Sequence, residues 1–222
     1  GIGDWVYEEE FGHADFYQWS KGSDALIFVK SDESKVPEIN IPIYGKNLYP
    51  KLMTYKYPKA GEVNSTVSAH LYQLSSGKTL DLNLGSFENY YIPQVYSTAK
   101  NDEVALATSN RHQNKVDILK VNTSNGAVSK LISETDNAWI ETDGMTLEFL
   151  DDNSFLWASE RSGFRHLYWF DAKGNLKKPV TKGNWEITDY YGFNPKTKEV
   201  FIQTTEKGSL NKVVSKVNIS NG

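Results

Sequence analysis

A chain of 222 residues is long enough to bury a sizeable core, as one domain or as part of a larger one. Six Trp, 13 Tyr and 10 Phe favour sheets over helices, and a net charge of −4 without a long basic run argues against nucleic acid as a partner. The absence of cysteine excludes disulfides and thiolate metal sites. Nothing resembles a signal peptide or an 18-residue apolar run, so no membrane span is expected; the chain opens at Gly1 in mid-pattern, which is compatible with an upstream signal that has been removed.

The first distinctive stretch is Asp4-Trp5-Val6-Tyr7-Glu8-Glu9-Glu10-Phe11. Three adjacent carboxylates lie between aromatic residues, where a merely solubilising run would have Lys, Ser or Gly beside it. Asp4 can cap a short helix by accepting from the free N–H groups of its first turn, with Trp5 and Val6 then facing inward. On such a turn Glu9 and Glu10 lie about 100° apart and can converge on one small cation. A primary ammonium is compact and has three donors, so each carboxylate can take one. Repulsion between the two acids strains the empty site, and a bound ammonium relieves it. The plainer reading of the same stretch is an acidic surface helix.

Further along, four stretches run from an apolar-alternating strand into a polar turn that closes on glycine. They are His70 to Leu74 with Gly77, Asp117 to Val121 with Gly126, His166 to Phe170 with Gly174, and Lys212 to Val217 with Gly222. The glycines are 49, 48 and 48 residues apart. A period near 50 filled only by short strands is the signature of β-propeller blades with four strands per unit. Inner strands are predicted at Phe16 to Trp19, Ile92 to Tyr96, Leu147 to Leu150 and Tyr190 to Phe193, and second strands at Ala25 to Lys30, Val104 to Thr108, Phe155 to Ser159 and Val200 to Thr204. Outer strands are predicted at Thr79 to Leu84, Val128 to Ile132 and Leu176 to Val180. The fold expected is all-β, a partial propeller of about four four-stranded blades at 16–85, 86–133, 134–182 and 183–222, the last without its outer strand, preceded by the double-Glu segment at 1–15.

The first unit is longer than the others. From second strand to closing glycine the later units take 22, 19 and 22 residues, whereas Leu26 to Gly77 takes 51. About thirty residues, at 31–67, are therefore inserted. The insert holds four of the seven prolines, alternates Ile39, Ile41 and Ile43 before a Tyr44-Gly45-Lys46-Asn47 turn, and returns through Leu52 to Tyr57. It reads as a projecting β-hairpin arm whose apolar residues exceed what a two-stranded ribbon buries. They are covered either by a partner or by the edge of the propeller itself.

Several chemistries have no carrier here. No Gly-x-Ser-x-Gly elbow for a serine nucleophile occurs. His13, His70, His112 and His166 show no i, i+4 pair suited to a metal and are expected at strand ends and in loops, and no phosphate-binding or calcium loop follows a strand. No catalytic residue, metal or cofactor is therefore expected within the chain. The sequons at Asn64, Asn122 and Asn218 read as turn composition. Arg111 and Arg161, at equivalent points of successive units, are expected to bind several loop carbonyls each.

Asp4 to Phe11 resembles the double-Glu segment of the dipeptidyl peptidase IV family, prolyl oligopeptidase-type serine peptidases (peptidase S9) that release dipeptides from peptide N-termini. Tyr57-Pro58-Lys59-Ala60-Gly61-Glu62-Val63-Asn64 is similar to a second family stretch, with Ser65 where a proline usually follows; Ser109 to Asn114, Ser159 to His166 and Thr181 to Ile187 extend the likeness from Gly1 to Gly222. The resemblance implies that Glu9 and Glu10 hold the substrate's free α-amine. It also implies that a separate C-terminal α/β-hydrolase domain, absent here, carries the catalytic serine, that the 31–67 arm helps pair two subunits, and that the protein is bacterial and exported, to the periplasm or cell surface. The alternative is a protein-binding propeller from a family member that has lost its serine.

Overall fold

The computed structural model describes residues 3–85, 91–142 and 145–221. A single short helix, α1 (Trp5–Phe11), precedes the first sheet, built from β1 (Tyr17–Trp19) and β2 (Ala25–Asp32). The chain then leaves as the arm, β3 (Glu38–Ile43) and β4 (Lys51–Lys56), and returns as β5 (Thr66–Gln73) and β6 (Lys78–Asp81). The second sheet is β7 (Tyr91–Ser97), β8 (Glu103–Ser109), β9 (Lys115–Asn122) and β10 (Val128–Thr135). The third is β11 (Leu147–Phe149), β12 (Phe155–Ser159), β13 (His166–Phe170) and β14 (Leu176–Pro179); the fourth is β15 (Ile187–Asn194), β16 (Glu199–Thr204) and β17 (Val213–Asn218). Each sheet is an antiparallel meander: β1-β2-β5-β6, β7 to β10, β11 to β14 and β15 to β17, with β3-β4 as a separate ribbon. This is a partial β-propeller, as the strand periodicity implies.

Several strand boundaries shift by a few residues, and two of the shifts bear on the arm and the first core. Ser31 and Asp32 pair with Val67 and Thr66, so the blade hairpin runs two residues further than alternation suggests and the arm occupies 33–65. The outer strand of the first blade ends at Asp81 rather than Leu84, because Leu82 and Leu84 turn away to pack on the core between the first two blades.

The sheets stack face to face through three successive cores. Ile27 and Leu71 meet Ile92, Leu106 and Val121 between the first and second blades. Ala107 and Ile118 meet Phe155, Trp157 and Phe170 between the second and third. Leu156 and Leu167 meet Ile187, Val200 and Ile202 between the third and fourth. This stacking explains why strand patterns differ. β8 and β9 are buried almost throughout, because the second blade is covered on both faces, whereas β2 and β16 alternate, because one face alone is covered. Large apolar side chains are exposed on the outward faces: Tyr17, Trp19 and Tyr72 on the first blade, and Tyr191, Phe201 and Val214, among polar residues such as Glu199 and Lys216, on the fourth.

The glycine period has a chemical cause. Gly77, Gly126 and Gly174 each close the turn after a third strand at positive φ (64°, 71° and 86°), a region that L side chains resist. Their N–H groups donate back to the carbonyls of Gln73, Asn122 and Asp171. Gly222 lies outside the described residues. Gly174 is the most constrained, since a Cβ there would sit 2.1 Å from the Leu131 carbonyl oxygen of the neighbouring blade. Gly174→Ala is expected to cost at least the ~1–3 kcal/mol of one strained residue, a fall of several degrees in thermal unfolding; an unchanged melting temperature would show that the contact relaxes freely.

In such a meander the links between second and third strands lie at the same end as the link into each first strand. Helix α1, the arm and the loops at 110–114, 160–165 and 205–212 therefore share one end of the stack. The closing glycines lie at the other.

Candidate functional site at the double-Glu helix

Asp4 is the N-cap of α1, as its position before the acidic run suggests. Its backbone is extended and its Oδ1 accepts from the Tyr7 N–H at 2.8 Å. Gly12 ends the helix in the left-handed conformation, with φ of 66°. The inward face differs from expectation. Tyr7 and Phe11, one turn apart, are buried, while Trp5 and Val6 are half-buried. Tyr7 packs on Phe11 and Phe16 with centroids 5.1 and 5.8 Å apart, and its hydroxyl accepts from the Ile92 N–H at 3.0 Å. Trp5 faces the arm instead, edge-on to Tyr55 and Tyr57 at 4.9 and 5.7 Å. The base of the arm thus folds back onto α1, while Tyr44, Leu48 and Tyr49 at its tip stay exposed.

With Tyr7 and Phe11 turned inward, Glu8, Glu9 and Glu10 face solvent. Glu8 lies in the first turn, where the helix's partial positive charge favours it; Glu9 and Glu10 lie toward the C-terminal end, where the partial charge is negative and no basic residue answers it. Two carboxylates displayed against an unfavourable dipole form a place that a cation improves. Glu10 also borders a cleft of about 240 Å³ whose walls include Trp5, Tyr57, Asn64, Tyr91 and Arg111; Glu9 is not among its lining residues.

The 57–64 stretch is braced around this cleft. Arg111 donates to the Glu62 carbonyl at 2.5 Å, and the Asn64 amide donates to the Tyr91 hydroxyl at 2.5 Å. Among the described residues Arg111 thus binds one loop carbonyl. Arg161, at the equivalent point of the next blade, behaves differently: it donates to Ser159 Oγ and to the Glu134 carboxylate, and lies over the Tyr168 ring. The loops are alike in sequence, but Glu62 reaches Arg111 from the arm and Glu134 reaches Arg161 from the end of β10, so the two guanidinium groups diverge. Arg111 is the residue of this cleft that sequence reasoning assigned elsewhere.

Ser65 donates its hydroxyl to Asp4 Oδ2. Nearby, Glu33 is held above the ordinary carboxylate range, first by burial and then by the Asp4 charge, with Lys56 opposing. A carboxylate that holds its proton more tightly in the folded state stabilises the fold below its unfolded pKa and loses that contribution as pH rises through the folded value. Glu33→Gln is therefore expected to raise the melting temperature at pH 7 and to give no gain near pH 4; equal effects at both would exclude Glu33 as the source.

His166 opens a strand and His13 and His112 lie in loops, as expected, but His70 lies inside β5, where it pairs with Phe28 on one side and Asp81 on the other. His166 is buried, with Nδ1 3.0 Å from Thr181 Oγ1 and Nε2 3.0 Å from the Gly183 carbonyl, which makes Nε2 the donor and fastens the 181–187 loop. His13 Nε2 lies 2.5 Å from the Pro93 carbonyl, and His70 bridges Ser68 and Asp81. Asn122 and Asn218, two of the three sequon residues, accept from backbone N–H groups within their own turns. Among the described residues no three His, Asp or Glu side chains converge on a metal position, and no helix is long and apolar enough to cross a membrane.

Comparison with known proteins agrees with this architecture. The crystal structure of Porphyromonas gingivalis dipeptidyl peptidase 4 superposes with a TM-score of 0.93 at 37% identity, over 100% of this chain and 32% of that one. The crystal structure of a putative dipeptidyl aminopeptidase IV from Bacteroides ovatus gives a TM-score of 0.80 at 28% identity, over 99% of this chain and 34% of that one. Among curated proteins, inactive dipeptidyl peptidase 10 of Rattus norvegicus is 31% identical over 93% of this chain and 28% of its own length. Probable dipeptidyl peptidase 4 of Aspergillus fumigatus is 28% identical over 94% and 29%. The chain thus spans less than a third of the length of these curated relatives. The model of the dipeptidyl peptidase IV N-terminal region matches residues 1–222, and the chain belongs to that family.

Proposed function

We propose that this chain is the substrate-anchoring propeller region of a dipeptidyl peptidase IV-like serine exopeptidase, in which Glu9 and Glu10 hold the free N-terminal amine of a peptide while a separate C-terminal hydrolase domain cleaves it. The observation that carries the reading is the display of two solvent-facing carboxylates at the unfavourable end of a capped helix, with no basic residue in its last turn, beside an aromatic cleft. An ammonium placed there gains charge-assisted hydrogen bonds of roughly 1.5–3 kcal/mol each. Two extended residues span only about 7 Å, so fixing the amine presents the second peptide bond to the nucleophile. The helix acts as a ruler, and the family's dipeptide product follows from its reach. The same reading makes the arm an assembly element that pairs two subunits and places the protein outside the cytoplasm, in the periplasm or at the cell surface. The test is whether Glu9→Gln and Glu10→Gln in the full-length protein remove its distinction between free and N-acetylated dipeptidyl ligands; a distinction that survives both changes defeats the assignment.

A second reading has support in one relative's name. The rat protein is described as inactive, so a region like this one can belong to a protein without peptidase activity. The two readings separate on the sequence that follows this region in the full-length protein: a Gly-x-Ser-x-Gly elbow with later Asp and His supports the peptidase, and its loss supports the binder.

A further inference from the structure

We propose that Ser65 is a positioning residue for the double-Glu helix, acting through the buried carboxylate of Asp4; the inference rests on the amine-anchor reading above. Asp4 is 7% exposed, and its two oxygens are divided between two tasks. Oδ1 takes the Tyr7 N–H and so starts the helix, while Oδ2 takes the Ser65 hydroxyl and so ties that start to the chain leaving the arm. A capping carboxylate bound by one oxygen can swing about its χ angles and let a seven-residue helix rock with it. Bound by both, it cannot.

The hydroxyl is presented from a segment that is itself held. Arg111 grips the Glu62 carbonyl, Asn64 reaches the Tyr91 hydroxyl, and β5 begins at Thr66. Ser65 therefore contributes a fixed donor rather than a mobile one, and little ordering is needed when the bond forms. The opposite side of the helix is fixed by the Tyr7 hydroxyl on the Ile92 N–H. Between these two points the helix backbone that carries Glu9 and Glu10 is held in one orientation. A proline at this position would stiffen the backbone but could not donate to Asp4. The serine brings a direct bond to the helix cap that the ring lacks.

The bond acts on the geometry of the amine site alone, so its loss should be visible only in ligands that carry the amine. The experiment uses the full-length protein and a pair of dipeptide-mimicking competitive inhibitors identical except for the α-amine, with active sites counted by a serine-directed titrant. Ser65→Ala is expected to weaken the amine-bearing inhibitor by about three- to tenfold, the size of one hydrogen bond. It should leave the des-amino inhibitor unchanged, and Ser65→Thr should restore tight binding. If Ser65→Ala folds poorly, Asp4→Asn, which keeps an oxygen for the Tyr7 N–H while removing the charge that draws the hydroxyl, should show the same selective loss. Equal weakening of both inhibitors, or no weakening of either, overturns the inference. If the glutamate variants lose amine discrimination while Ser65→Ala keeps it, the anchor stands and this inference falls. If the glutamate variants keep it, both fall.

Discussion

Glu9→Gln or Glu10→Gln in the full-length protein is expected to lower kcat/KM on dipeptidyl substrates by about 10- to 100-fold, from the roughly 1.5–3 kcal/mol that one charge-assisted hydrogen bond contributes. The double variant should lose less than the product of the two, because both carboxylates share one ammonium and their effects couple. Stability should move the other way. Glu9 and Glu10 are exposed, and both lie toward the helix end whose partial charge repels them. Neutralising them is expected to leave the melting temperature unchanged or raise it slightly, by the ~0.3–1 kcal/mol of a helix-dipole interaction. Steady-state kinetics and thermal unfolding on the same samples check both halves. A loss of activity that tracks a loss of stability would place the glutamates in the scaffold; unchanged kcat/KM in both single variants would remove them from the substrate site.

The arm leads to the second large effect. Leu48 is 89% exposed and Tyr49 79%, at the tip of a ribbon whose two strands have no other sheet partner. Burying each side chain in a subunit contact contributes on the order of 1.5–3 kcal/mol, so replacing both by Asp is expected to raise the dimer dissociation constant by at least about 100-fold. Light scattering on the full-length protein over a range of concentrations measures this. The tip is the right place to cut, because Tyr55 and Tyr57 already pack on Trp5 and changes there would disturb α1 as well. A parent that is monomeric at every concentration, or a variant that stays fully dimeric, would show that the arm is not the contact.

The fold was legible because its signals are local and repeated. Strands such as Val104 to Thr108 and Phe155 to Ser159 announce themselves by apolar runs between polar turns, and the closing glycines mark positions where only a residue without Cβ is at ease. The arm was legible by length alone. The cap at Asp4 follows from residue type, but the inward face of α1 does not: seven residues make about two turns, too few for a periodicity to separate Trp5 and Val6 from Tyr7 and Phe11. Arg111 and Ser65 escaped for another reason. Their partners, Glu62 and Asp4, lie 49 and 61 positions away, and nothing beside either residue signals a bond made across that distance.

The stacking of the blades carries a consequence for how the fold comes apart. Among the described residues the three cores share no side chain, so each sheet leans on its immediate neighbours and the stability of the stack is a sum of blade and interface contributions. Damage at Trp157 is then felt by the second and third blades first, while the first core, where Tyr7 and Phe11 seat helix α1, keeps its packing. A chain built this way opens as a line of units rather than as one body, and the double-Glu helix is tied to the first unit of that line.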